Sequence, residues 1–159
     1  MTEYFKQLEA DDFKKLKDAI ALITVYIAGV DGEIKKGEIE WAEKVTQIRS
    51  YKMSEDLKGF YQEVGLDFHD VLESYIDQFP KSPEERNKII ATRLAQLNPI
   101  LAQLDQKVAA HLYSSYRSFA THVAKATGGF LGFFAINSRE QKILGLDMIT
   151  PIISADEEE

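Results

Sequence analysis

The feature that most constrains this chain is an uncharged run of twelve residues, 19–30, in which every residue except Thr24 and Gly29 is apolar. Together with the residues before it, the run places apolar side chains at steps of three and four, which is the period of an α-helix. These side chains are Phe13, Leu16, Ile20, Ile23, Ile27 and Val30. A bilayer requires roughly 20 apolar residues to span it. The pattern therefore predicts a helix over residues 11–30 that is buried in a protein core.

The rest of the chain predicts an all-α fold, a compact bundle of about seven helices, because no segment alternates apolar and polar residues with a period of two. The second helix begins near residue 37, with Trp41, Val45 and Ile48 on its apolar side. The later helices are expected at 54–64, 67–79, 83–97, 106–127 and from Asn137 or Ser138 onwards. Gly65 is expected to separate the third helix from the fourth, and Pro80 to stop the fourth.

Two of these helices carry start signals. Ser82-Pro83-Glu84-Glu85 has serine at the cap, proline at the first helical position and glutamate three residues after the serine, which is a capping box. Asn98-Pro99 predicts a connection over 98–105, since proline cannot continue a helix without losing a hydrogen bond. Asp105 is the predicted cap of the next helix, whose apolar stripe is Val108, Leu112, Tyr116, Phe119 and Val123.

Length and composition favour one cytoplasmic domain over residues 1–153, followed by an acidic flexible tail at 154–159. At 159 residues and 45% apolar composition, the chain can bury a sizeable core. The formal net charge of −7 argues against nucleic acid as a partner, because phosphate backbones are held mainly by Lys and Arg. There is no cysteine, no signal-peptide pattern at the N-terminus and no transmembrane segment.

Two helix-to-glycine junctions suggest a pseudo-repeat of helix-Gly-loop-helix units. The first reads Asp31-Gly32-Glu33-Ile34 and leads to Glu38; the second is the segment 124–133, followed by Ser138-Arg139-Glu140. The first junction resembles the TerB-like (tellurite-resistance B) superfamily, and the segment 124–133 resembles a related copy found in uncharacterised bacterial members. The resemblance implies a bacterial, cytoplasmic helical domain linked to tellurite and stress responses and to acidic metal sites.

The first junction is also a candidate metal site on the chemistry of its side chains. Hard cations such as calcium or magnesium bind several oxygen ligands, and Asp31, Glu33 and Glu38 can supply three carboxylates. The spacing does not follow the EF-hand pattern. The alternative is that Gly32 only ends a helix, the loop carboxylates are solvated, and Glu38 stabilises the start of the next helix.

The second junction is followed by an unusually apolar loop over residues 130–136. Phe130, Phe133 and Phe134 are too apolar for a freely exposed connection. They fill either the domain core or a groove between the repeats, or else they form a patch that binds a protein partner or a second copy of the chain. The sequence leaves the oligomeric state open.

No arrangement of nucleophile, base and oxyanion donor is visible, so the chain is predicted not to be an enzyme. His111 and His122 are three helical turns apart and cannot ligate one ion, and His69 is expected at a cap or on the surface. The predicted function is an interaction module or a stress- or metal-sensing module. The alternatives are a scaffold that docks through residues 130–136 and, third, a carboxylate-based metal hydrolase.

Overall fold

A computed structural model of the chain describes residues 3–29, 34, 36–126 and 144–153. Helix α1, Ala10–Ala28, is the element around which the others pack. All ten residues of 19–28 are buried, and a helix that is apolar on every side must be covered on every side. Helices from the rest of the chain supply that cover, since α1 contacts four of them. The prediction of a buried helix is confirmed.

The other helices of the described ranges follow in chain order. They are α2 (Lys36–Lys52), α3 (Glu55–Gln78), α4 (Pro83–Ala95), the single-turn α5 (Asn98–Leu101) and α6 (Gln106–Ala126). A 3-10 turn at Glu3–Phe5 precedes α1. Helix α3 packs against both α1 and α2, α6 packs against the same two helices, and α4 packs against α1. No described residue is in a strand, and no helix within these ranges is long and apolar enough to span a membrane.

The all-α class is confirmed, but the predicted division of the chain into about seven helices is wrong at Gly65. Helix α3 runs through this position without a break. Phe60, Val64, Phe68 and Leu72 recur every four residues on its buried face, so the apolar stripe stays in register across the glycine. An exposed glycine in a helix costs only about 1 kcal/mol relative to alanine, which is less than the burial of this stripe contributes.

The predicted stop before Pro80 and the predicted caps at Ser82 and Asp105 are confirmed, whereas the connection predicted over 98–105 contains the single-turn helix α5. Helix α3 stops before Pro80, with Phe79 in an extended conformation. The Ser82 hydroxyl accepts a hydrogen bond from the Glu85 amide at 3.5 Å, and Asp105 Oδ1 accepts from the Lys107 and Val108 amides at 3.0 and 3.4 Å. The predicted apolar stripe of α6 is buried along its whole length.

An aromatic cluster fixes the N-terminal turn to the bundle. Phe5 is fully buried, and its ring lies 5.3 Å from that of Phe13 on α1 and 5.4 Å from that of Phe60 on α3, measured between centroids. Aromatic pairs at such distances add to the stability gained by burial alone. The side chains next to Phe5 therefore have a defined position on the surface.

The chain after α6 is described only from residue 144. Asn98 holds it, since Asn98 Nδ2 donates to the Met148 carbonyl at 3.0 Å and Asn98 Oδ1 accepts from the Thr150 amide at 2.8 Å. Residues 145–153 are turns and irregular chain. The second glycine junction and the start of the last predicted helix lie outside the described residues, so the pseudo-repeat and the residue 154 boundary of the tail remain predictions.

Replacing Gly65 by alanine is expected to raise the free energy of unfolding by about 0.5–1 kcal/mol, because alanine loses less backbone entropy in a helix. A Cβ at this position meets no atom within 4 Å. Urea unfolding followed by circular dichroism measures the change. The control is Gly29→Ala, whose Cβ would overlap Arg86 Nη2 and lie 2.8 Å from the Val25 carbonyl and should destabilise the fold. A destabilised Gly65→Ala variant would contradict an uninterrupted α3.

Candidate functional site

The predicted metal site is only partly visible. Asp31 and Glu33 lie outside the described residues. Glu38 lies in the first turn of α2 and is 2% exposed, so its carboxylate is inside the fold at the point where the acidic segment joins the helix. The described residues contain no group of three His, Cys, Asp or Glu side chains that could hold a metal ion.

The predicted partner-binding residues Phe130, Phe133 and Phe134 also lie outside the described residues. Their assignment to a core or to an interface therefore stays a prediction.

A cleft lies elsewhere in the described chain, where the N-terminal turn meets the first turns of α3 and α6. It has a volume of about 550 Å³, within the range of small-molecule pockets. Its walls carry Glu3, Tyr4, Lys6, Gln7, Ser54, Glu55, Asp56, Asp105, Lys107, Val108 and His111. Of these residues, the sequence indicates Asp105 as a helix cap, and it gives no sign of the cleft.

A carboxylate-imidazole pair lies in the wall of this cleft. Asp56 Oδ2 is 2.6 Å from His111 Nδ1; the aspartate side chain is 10% exposed and the histidine side chain 32% exposed. Because the carboxylate accepts the proton at Nδ1, the neutral ring keeps Nε2 as a hydrogen-bond acceptor. The two residues are 55 positions apart in sequence, so no local pattern could reveal the pair.

Ser54 completes this group without making it a catalytic triad. Its hydroxyl donates to Asp56 Oδ1 at 2.5 Å, so the serine contacts the carboxylate and not the imidazole. Nucleophilic catalysis requires the opposite order, with the base next to the nucleophile. The arrangement holds His111 in one orientation and offers acceptors to the cleft.

The side chains that line the cleft carry a net negative charge. Four carboxylates line it against two ammonium groups. The pKa of the Tyr4 hydroxyl is raised above its ordinary value of 10.0, first by the charge of Glu55 and then by burial and by the charges of Asp56 and Glu3. The field that these carboxylates produce at Tyr4 favours positive charge in the cleft.

A second polar cluster is buried between α2, α3 and α6. Arg49 is 6% exposed; its Nη1 donates to the Tyr61 hydroxyl at 3.0 Å and to the Ser115 carbonyl at 2.9 Å, and its Nη2 donates to Ser118 Oγ at 2.7 Å. The guanidinium also lies 5.5 Å from the Phe119 ring centroid. Within the described ranges no carboxylate forms a salt bridge with Arg49, so these neutral acceptors and aromatic faces stabilise the charge.

This cluster corrects the predicted face of α2. Trp41 and Ile48 are only half-buried, whereas the fully buried stripe consists of Glu38, Ala42, Val45, Thr46 and Arg49. Trp41 lies beside the C-terminal part of α6, where its Nε1 donates to the His122 carbonyl at 2.8 Å. Polar residues at buried positions of a helix cannot be recognised from hydrophobic periodicity.

His111 and His122 lie on α6, eleven residues apart. His69 lies on the surface, as predicted. His69 Nδ1 is hydrogen-bonded to Glu43 Oε1 on α2, and its Nε2 lies 3.9 Å from Glu73 Oε1. The pKa of His69 is raised above 6.5 by the hydrogen bond and charge of Glu43. The pKa of His122 is lowered, first by burial and then by Arg49 and Lys125.

No protein-family model, no curated protein and no solved structure matches this chain. The likeness to the TerB-like superfamily therefore rests on the sequence of the two glycine junctions alone and stays a prediction.

The two perturbed histidines predict a stability maximum near pH 6.5. Above about pH 6.5, the ordinary pKa of unfolded histidine, the folded chain holds the His69 proton more tightly than the unfolded chain. The stabilisation by His69 is therefore complete below that pH and is lost as the pH rises through the raised pKa. For His122 the unfolded chain binds the proton more tightly, so stability falls as the pH drops below 6.5.

Urea unfolding of wild type and His69→Gln between pH 5.5 and 8.5 tests this assignment. The variant is expected to lose the decline on the alkaline side and to keep the decline on the acidic side. Glu43→Gln is the matched control, because it removes the principal cause of the raised pKa while leaving the imidazole in place. An unchanged alkaline limb in both variants would show that the contact between His69 and Glu43 does not contribute to folding.

Proposed function

We propose that this chain is a non-enzymatic, TerB-like helical domain of the cytoplasm that acts as an interaction or sensing module, and that a divalent cation held by Asp31, Glu33 and Glu38 is its signal. The observation that carries the proposal is the burial of the Glu38 carboxylate, at 2% exposure, in the first turn of α2. This burial places the carboxylate inside the fold directly after the acidic segment that contains Asp31 and Glu33.

Burying a carboxylate is costly unless positive charge and hydrogen-bond donors surround it. The dipole at the start of α2 supplies part of this compensation, because Glu38 lies in the first turn of the helix. A cation shared with two carboxylates of the preceding loop would supply more, and calcium, which accepts six to eight oxygen ligands in flexible geometry, suits such a loop better than magnesium does.

The position of Glu38 gives the cation a way to act on the fold. Helix α2 contacts α1, α3 and α6, and its far end carries Arg49, which joins Ser115 and Ser118 of α6. A cation that fixes the beginning of α2 would stabilise these contacts. Cation binding would therefore change the stability of the contacts that α2 makes. A partner that contacts α2 would bind more or less tightly as a result.

Calcium and magnesium titrations by calorimetry test the proposal. Wild type is expected to bind calcium, and Asp31→Ala and Glu38→Gln are expected to lose the binding heat. At a free calcium concentration of about 100 times the Kd, binding should stabilise the native state by about 2.7 kcal/mol, which raises the unfolding temperature by roughly 5–10 °C for a domain of this size.

The matched control is Glu40→Gln, which removes a carboxylate from the same turn of α2 that is 64% exposed and lies 3.8 Å from Lys36. This variant should bind calcium as wild type does. Equal, negligible heats in wild type and in all variants would remove the cation site. Equal binding in wild type and Asp31→Ala would place the ion elsewhere.

A further inference from the structure

We propose that the cleft between the N-terminal turn and the first turns of α3 and α6 is a binding site for a small organic ammonium ion, a primary amine or diamine. This site is separate from the cation site of the proposed function and does not depend on it. Three groups carry the recognition: the Glu55 carboxylate, the Nε2 acceptor of His111 and the ring of Tyr4.

The walls of the cleft are held in place from behind. Phe5, next to Tyr4, is fully buried in the aromatic cluster with Phe13 and Phe60. On the opposite wall, the hydrogen bond of 2.6 Å to Asp56 fixes the ring of His111. A site whose walls are already ordered loses little conformational entropy when a ligand binds.

The acceptors of the cleft match the donors of an ammonium group. An ammonium carries three N–H donors and no acceptor. In its neutral form His111 accepts at Nε2 when Nδ1 donates to Asp56, and the carboxylates of Glu3 and Glu55 line the same cleft. Because carboxylates outnumber lysines in the cleft, binding of a protonated amine is favoured over binding of an anion.

Tyr4 adds a surface suited to an organic cation. It is 37% exposed, and the faces of aromatic rings attract ammonium groups and the methylenes beside them. Val108 supplies an apolar contact in the same cleft. A bare metal ion would gain nothing from a ring and a valine, and the described residues offer no group of three metal-ligating side chains here.

An anion is the wrong ligand for this cleft although two helices begin there. The amides at the start of α6 already donate to Asp105, and α3 begins with Glu55 and Asp56. Helix N-termini attract anions through free amides and the dipole. At both helices side-chain carboxylates offset the positive charge of the N-terminus, so the net charge of the cleft is negative and favours a cation.

The experiment uses three probes of equal length in metal-free buffer: 1,4-diaminobutane, 1,4-butanediol and succinate. Titrations followed by two-dimensional amide NMR give the Kd and the residues affected. The diamine is expected to shift the amide signals of the 3-10 turn and of the first turns of α3 and α6 saturably, whereas the diol and succinate leave them unchanged. Saturable binding of succinate at these residues, or of the diol as tightly as the diamine, would overturn the proposal.

Variants separate a built site from general attraction to an acidic protein. Glu55→Gln is expected to weaken the diamine by at least about fivefold, from the loss of one close charge pair. Asp77→Asn, at the opposite end of α3 and equally a lost carboxylate, should change the Kd by less than about twofold. Equal losses of affinity in the two variants would mean that the amine binds through the net charge of the protein only, which overturns the proposal.

The aromatic contribution has its own matched pair. Tyr4→Ala is expected to weaken the diamine by roughly two- to fivefold, whereas Tyr4→Phe keeps the ring and should bind as wild type does. Both variants change an exposed side chain, so folding should not be affected. Asp31→Ala should bind the diamine normally, so a failure of the calcium site and a failure of the amine site can be told apart. Wild-type binding by Tyr4→Ala would overturn the assigned role of the ring.

Discussion

The burial of residues 19–28 of α1 on every side is the constraint on which the rest of the structure depends. Residues 19–28 leave no face for solvent, so α3, α4 and α6 must surround the helix. Its polar groups are satisfied locally or by one partner: the Thr24 hydroxyl donates to the Ile20 carbonyl at 2.9 Å, and the Tyr116 hydroxyl of α6 donates to the Leu16 carbonyl at 2.7 Å. These two hydrogen bonds are made inside the protein, so the packing around residues 19–28 can be complete.

The helices could be predicted from the sequence where one local signal decides the outcome. Periodicity reveals α1, and the caps at Ser82 and Asp105 mark helix starts, because each signal acts within a few residues. Gly65 is the exception, since the propensity of this one residue indicates a break whereas the apolar stripe continues past it. Tertiary burial exceeds a helix-propensity difference of about 1 kcal/mol, and only the fold shows which face of α3 is buried.

The polar interior could not be predicted, because each of its contacts joins residues far apart in sequence. From its local sequence Arg49 would be assigned to a solvated face of α2, yet its donors reach Tyr61 and Ser115 on two other helices. The pairing of Asp56 with His111 is equally remote. A charge becomes compatible with burial only when tertiary structure brings its acceptors together, so composition and spacing carry no sign of either cluster.

Helix α2 connects the two proposed sites. Its 17 residues span about 25 Å at 1.5 Å per residue, from Glu38 near its start to the junction with α3, where Ser54 and Asp56 form a wall of the cleft. Arg49 joins the helix to α6, which also carries His111. A displacement of α2 along its axis would therefore break buried hydrogen bonds to α6 and move one wall of the cleft relative to the other. Since such packed contacts have few alternative arrangements, α2 holds the start of α3 in a fixed position relative to α6.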